Sequence, residues 1–253
     1  MKKFYLLSAM LITGLLAFGQ AKKPAPAVPA NPNSTFTERD TIPLEVKIYK
    51  TAILFGDYEV ARNAVFALIT KYPARIDYLD TLARIYFSTG AYSQALLSAN
   101  IYLERDPQSI PMMELSAICQ GAINNNKESL EMYEKLYART KSIYHAYQIA
   151  VLQYTLKRLG ECETTVNQVI SDPKAAGDKI NINIDQQNSQ EVPLAAAALN
   201  LRGVLQKELN KPDKAKEDFE AALKIFPEFG LAKNNLESMK APAPADKEKD
   251  KKK

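Results

Sequence analysis

The side chains with the strongest intrinsic chemistry are few in this chain. The only histidine, His145, stands beside Tyr144 and Tyr147, the two cysteines are Cys119 and Cys162, and Asp77 and Asp80 sit three residues apart. An imidazole works as a base only beside a correctly spaced hydroxyl, thiol or carboxylate. No Ser-His-Asp, His-Glu-x-x-His or Cys-x-x-Cys context surrounds His145. Two carboxylates on one helix face suit acid–base work in principle, but sequence spacing does not define the separation that glycoside chemistry needs. A hydrolase built on Asp77, Asp80 and His145 is therefore the catalytic reading, set against three ordinary helix residues. No glycine-rich phosphate loop is present, and neither cysteine has a metal-ligand spacing or an adjacent base. The expectation is a non-enzyme without cofactor or metal.

What the residues do show is a repeat. Gly56, Tyr58, Ala61 and Pro73 recur 34 residues later as Gly90, Tyr92, Ala95 and Pro107. A period of that size predicts stacked helix pairs and directs attention to a binding surface. The glycines allow the chain to reverse between antiparallel helices, the alanines let the second helix approach the first, and the prolines end it. Upstream of Gly90, Leu79, Leu82, Ala83 and Tyr86 form one apolar face of a first helix.

Three further units follow. Met113, Ala117 and Gln120 precede a turn at Asn124–Asn126, with Ser129, Tyr133 and Leu136 on the second helix; asparagine tolerates the left-handed turn. A fourth unit places Tyr147, Ala150, Val151 and Tyr154 at the expected spacing, with a turn about two residues longer and a short second helix stopped at Pro173. The fifth carries Leu199, Gly203, Asn210, Ala215, Phe219, Ala222 and Pro227, and GLAKNNLESM after it reads as a capping helix. The order large residue, Leu, small residue, Tyr, then Ala and Pro resembles the tetratricopeptide repeat family, with Leu79 where the family usually has Trp.

That resemblance implies an all-α, right-handed superhelical solenoid. Its repeats would span about 43–75, 76–109, 110–141, 144–173 and 196–229, with an insertion at 174–194 and a capping helix at 228–240. It also implies a partner protein or peptide on the concave face, lined by first helices. The matching positions are Val46, Lys50, Asp80, Arg84, Glu114, Gln148, Asn200 and Lys207, each alternatively a solvated surface residue; Arg84 and Lys50 are the foremost charged anchors. Family members that clamp a C-terminal carboxylate of chaperone peptides carry Lys and Asn one turn apart on the first unit. Val46 and Lys50 stand there instead, which disfavours that clamp. The tyrosines, among them Tyr58, Tyr86, Tyr92, Tyr133 and Tyr154, fall on packing positions and are expected in the core.

Within the insertion, Ile180, Ile182 and Ile184 alternate with polar residues, and Gln187-Asn188-Ser189 suits a turn before Glu191 and Val192. The expectation is a β-hairpin projecting from the solenoid, either an ordinary loop or a specificity element over 178–190 through which an envelope complex assembles.

The termini differ in kind. Lys2 and Lys3 precede FYLLSAMLITGLLAF, the pattern of a secretory signal peptide (1–21) with cleavage after Gly19 or Ala21. An uncleaved anchor is the alternative. Residues 22–42 form a Pro/Ala-rich leader and 241–253 a charged tail, both too poor in apolar groups to fold. The formal net charge is +4, but lysines of the signal, leader and tail account for it and leave the repeat body mildly acidic. Nucleic-acid binding, which needs a basic stripe on the fold, is disfavoured. In an oxidising compartment Cys119 and Cys162 could pair, with two reduced thiols as the default. The reading as a whole is an exported, periplasmic scaffold without stable membrane insertion once its signal is removed. Self-association through an unsatisfied repeat face stays open.

Overall fold

The computed structural model describes residues 42–184 and 188–239. The signal peptide, almost all of the leader, Lys240, the charged tail and Gln187 of the hairpin turn lie outside the described residues. Eleven α-helices and one two-stranded hairpin occur among them. None of these helices is long and apolar enough to cross a membrane. The chain divides after Met132 into two compact units.

The N-terminal unit contains α1 (Leu44–Leu54), α2 (Tyr58–Lys71), α3 (Asp77–Ser88), α4 (Tyr92–Arg105) and α5 (Ile110–Ala122), and α6 (Asn126–Thr140) begins in it. The C-terminal unit continues with α7 (Ile143–Thr155), α8 (Leu159–Ser171), a 3-10 turn at Pro173–Ala176, β1 (Lys179–Asn183), β2 (Ser189–Pro193), α9 (Leu194–Glu208), α10 (Pro212–Ile225) and α11 (Gly230–Ser238). Each unit is built from the antiparallel helix pairs of the all-α solenoid class.

One turn builds all five pairs. Gly56, Gly90, Asn124, Lys157 and Asn210 adopt positive φ of 72°, 74°, 64°, 60° and 56°. At each, the next residue's N–H reaches back to the carbonyl five residues earlier: Asp57 to Ala52, Ala91 to Tyr86, Asn125 to Gln120, Arg158 to Gln153, and Lys211 to Gln206, all at 2.8–2.9 Å. These are Schellman caps, which satisfy the orphan carbonyls of the first helix while the left-handed residue turns the chain. Five residues beyond each turn stands a small buried residue: Ala61, Ala95, Ser129, Cys162 and Ala215. Ser129 keeps its hydroxyl satisfied by donating to the Ala117 carbonyl at 2.8 Å.

This geometry corrects the fourth unit. Its turn residue is Lys157, and the turn is no longer than the others; Gly160 lies in the first turn of α8. The framework positions are accordingly Ala146, Ile149, Ala150 and Gln153, one residue earlier than expected, all buried. Helix α8 has 13 residues, close to the 14 of α2 and α4, so it is not short.

The hairpin is also corrected in its placement. Its antiparallel register pairs Ile180 with Val192 and Ile182 with Gln190. Ile180, Ile182 and Val192 are buried in the same cluster as Ala175, Leu194 and Phe229. One face of the hairpin is thus sealed into the C-terminal core and does not project. Gln190 fastens it to α11: its Oε1 accepts from the Gly230 N–H at 3.0 Å and its Nε2 donates to the Glu228 carbonyl.

Candidate functional site

The residues expected to line a binding face divide between the units. In the N-terminal unit, Val46 on α1 is half-buried against the Ala52–Leu82 cluster and so packs. Lys50, one turn on, is exposed. On α3, Arg84 Nε donates to Asp80 Oδ1 at 2.8 Å, an i,i+4 pair with both side chains about one-third exposed. Lys50 and Arg84 each lie six residues before a left-handed turn, so they occupy equivalent places on consecutive first helices. Tyr78 belongs to the Ala52–Leu82 cluster and Tyr49 packs against it; burial raises the Tyr49 phenol above its ordinary value, with Tyr78 and Asp77 adding to the effect. Glu114 on α5 is half-buried.

In the C-terminal unit, Gln148 is half-buried on α7, and the corrected register puts the buried Tyr147 at the position equivalent to Asp80. Asn200 is buried and its Oδ1 accepts from Asn235 Nδ2 at 2.9 Å, while Lys207 donates to Ser238 Oγ at 3.0 Å. Both partners belong to α11. These two residues therefore seat the last helix, a role that the expectation of an open groove along α9 did not include.

The candidate catalytic groups are engaged locally. Asp77 accepts two 2.8 Å bonds from Arg75, which hold its carboxyl below the usual carboxylate range. His145 is buried, with Nδ1 2.9 Å from Thr140 Oγ1 and its ring against Tyr133 and Tyr144. Cys119 and Cys162 are free and buried, and burial pushes both thiols up to about 12. A thiol so shifted is protonated at neutral pH and inert as a nucleophile.

The sequence reading missed an apolar cleft in the N-terminal unit. It has a volume of about 320 Å³ and opens between α2 and α4 over α3. Phe66 and Leu97 stand at its mouth, 46% and 62% exposed. The available signal was a large apolar residue on each second helix outside the buried stripe of Ala61, Val65 and Leu68 or of Ala95 and Ala99.

The caps, the small residues behind them and the ordered pairs define a helical-repeat protein. Residues 196–229, the pair α9–α10, match the family model described as tetratricopeptide repeat. Comparison with curated proteins found no match. Among solved structures, YrrB, described as a TPR protein with an unusual peptide-binding site, is similar with a TM-score of 0.60 at 13% identity over 78% of this chain and 91% of that one. A MamA protein gives 0.59 at 16% identity over 79% and 97%, and MamA from Desulfovibrio magneticus RS-1 gives 0.58 at 13% over 74% and 95%. Likeness at such identities is likeness of fold.

Proposed function

We propose that this chain is an exported, non-enzymatic adaptor that holds a segment of a partner protein against its first helices, in the periplasm of a two-membrane bacterium. The carrying observation is the register of Lys50 and Arg84, which repeats a cation at the same place on α1 and α3. A segment lying across consecutive first helices would meet these charges one repeat apart, an arrangement suited to an extended peptide held by polar contacts. Rigid stacking keeps the ordering cost of binding low on the adaptor's side. The non-enzymatic part rests on the engagement of Asp77 with Arg75, the burial of His145 and the protonated thiols. Export rests on the basic, apolar N-terminus. The peptide-binding site named for YrrB lends the mode of action a precedent in a similar fold.

The test is in-cell crosslinking of the C-terminally tagged protein in its native host, with mass spectrometry of its new N-terminus and of what it captures. The expected result is a chain starting near Gln20 or Lys22 that captures one envelope protein reproducibly. Lys50→Glu with Arg84→Glu should reduce that capture at least tenfold at unchanged helicity. Undiminished capture by the double variant would remove the first-helix face from the proposal, and an intact N-terminus in the cytosol would remove export.

A further inference from the structure

The cleft over α3 does not belong to the face that carries Lys50 and Arg84. On the helical wheel Asp80 and Arg84 lie about 100° or more round α3 from Leu79 and Tyr86, which form the cleft floor. Leu97 and Ile101 of α4 and Phe66 of α2 form its walls. Leu97 keeps most of its surface in water, as Phe66 keeps nearly half. The volume of about 320 Å³ sits at the lower end of the range for pockets that take a ligand or an anchor side chain, roughly 300–1,000 Å³.

One end of this apolar cleft is cationic. Arg75 and Arg105 both line it there. The charge of Arg75 is met by Asp77 in two bonds, and its guanidinium also lies over the Tyr78 ring at 5.1 Å. Arg105 donates to the carbonyl of Pro73 at 2.5 Å, and a carbonyl leaves its charge uncompensated. Among the described residues no carboxylate pairs with Arg105. An apolar trough ending in such a guanidinium is complementary to a segment with a large apolar side chain followed by a carboxylate, which the planar donor fork of Arg binds well. The tail at 241–253 does not have this chemistry, because it carries no large apolar side chain and has lysines in excess.

We propose that the cleft is a second docking site, separate from the first-helix face, for an acidic–apolar peptide segment of a partner protein. The apolar side chain enters between Phe66 and Leu97, and the carboxylate meets Arg105. The probe is a library of phage-displayed random dodecapeptides, selected on the whole purified chain and counter-selected on its Leu97→Glu variant. Leu97 is exposed enough for that variant to fold, and its helicity by circular dichroism provides the control. Recovered peptides should pair Leu, Ile, Phe or Met with a nearby Asp or Glu. A labelled representative should lose at least tenfold in affinity on Leu97→Glu and at least threefold on Arg105→Glu. The Arg105→Glu variant should regain affinity for the same peptide with its acid changed to Lys, a swap that a general structural defect does not produce. Lys50→Glu with Arg84→Glu should leave this binding unchanged, so the two sites fail or stand separately. Recovery of no peptide that distinguishes the wild type from Leu97→Glu, or absence of the charge swap, overturns the proposal. So does concentration-dependent self-association abolished by Leu97→Glu, which would give the cleft to a second copy of the chain.

Discussion

Gly203 in α9 lies against the ring of Phe219 in α10 so closely that a Cβ built on it would stand 2.5 Å from Cε1 and 2.7 Å from Cδ1. Phe219 is fully buried, so its ring can give way only by displacing its neighbours. Alanine would gain about 1 kcal/mol of helix propensity, but overpacking a tight core costs about 1–3 kcal/mol. Gly203→Ala should therefore lower the unfolding free energy by the difference, up to about 2 kcal/mol, measured by urea denaturation. Adding Phe219→Leu should cost less on top of Gly203→Ala than in the wild type, because the smaller side chain relieves the clash; simple additivity would refute the contact. Gly203 was legible as the small residue of the pattern, seven residues before a turn. Lys157 was not, because nothing about lysine announces a left-handed backbone. Asn200 misled for a related reason: repeat position says which face a side chain occupies, not which later helix covers that face.

The hairpin shows the same limit for an element. Alternation of Ile180, Ile182 and Ile184 with polar residues carried enough information for a strand, and the strand is present from Lys179 to Asn183. Whether its apolar face met water, a partner or the protein's own core depended on what the chain places beside it. The core won, through Val192, Leu194 and Phe229. Gly230 records the closeness of the fit, since a Cβ there would approach Ile184 Cγ2 at 3.0 Å. Val192→Asp, which would bury a carboxylate at a position with no exposure, is expected to cost about 3 kcal/mol or more. Deleting 178–190 should lower the thermal midpoint by several degrees. A hairpin that served only a partner would leave the melting curve in place, and differential scanning calorimetry on both variants separates the two roles.

Each compact unit encloses one thiol, Cys119 in the first and Cys162 in the second, so the pH dependence of global stability reports on both. Burial raises these thiols from 9 to about 12. Their folded-state values exceed the unfolded ones, so their contribution is fully present below about pH 9 and is lost as pH climbs towards 12. In that window stability should fall by about 1.4 kcal/mol per pH unit per thiol. Tyr147 and Tyr154, also raised chiefly by burial, add to the fall with the same sign. Urea midpoints should stay level from pH 7.5 to about 9 and decline from there to pH 11, and the decline should be shallower in a Cys119→Ala, Cys162→Ala variant. Neither native thiol should react with a maleimide at pH 7.5. Prompt labelling, or a flat alkaline profile, would show the thiols to be accessible.

By itself the sequence determined the recurring unit. A left-handed residue, a small residue five positions later and an apolar stripe are local demands of turning a chain and laying one helix on another, and local demands are written in local residues. Four of the five turns, the small residues behind them, the strand alternation and the closing helix were all readable on that basis. Only the tertiary structure decided which faces remained open. It sealed the hairpin, gave Asn200 and Lys207 to α11, and left Phe66 and Leu97 exposed beside Arg105. Exposure depends on neighbours distant in sequence, and an apolar side chain at a given repeat position has the same local signature whether another helix covers it or water does.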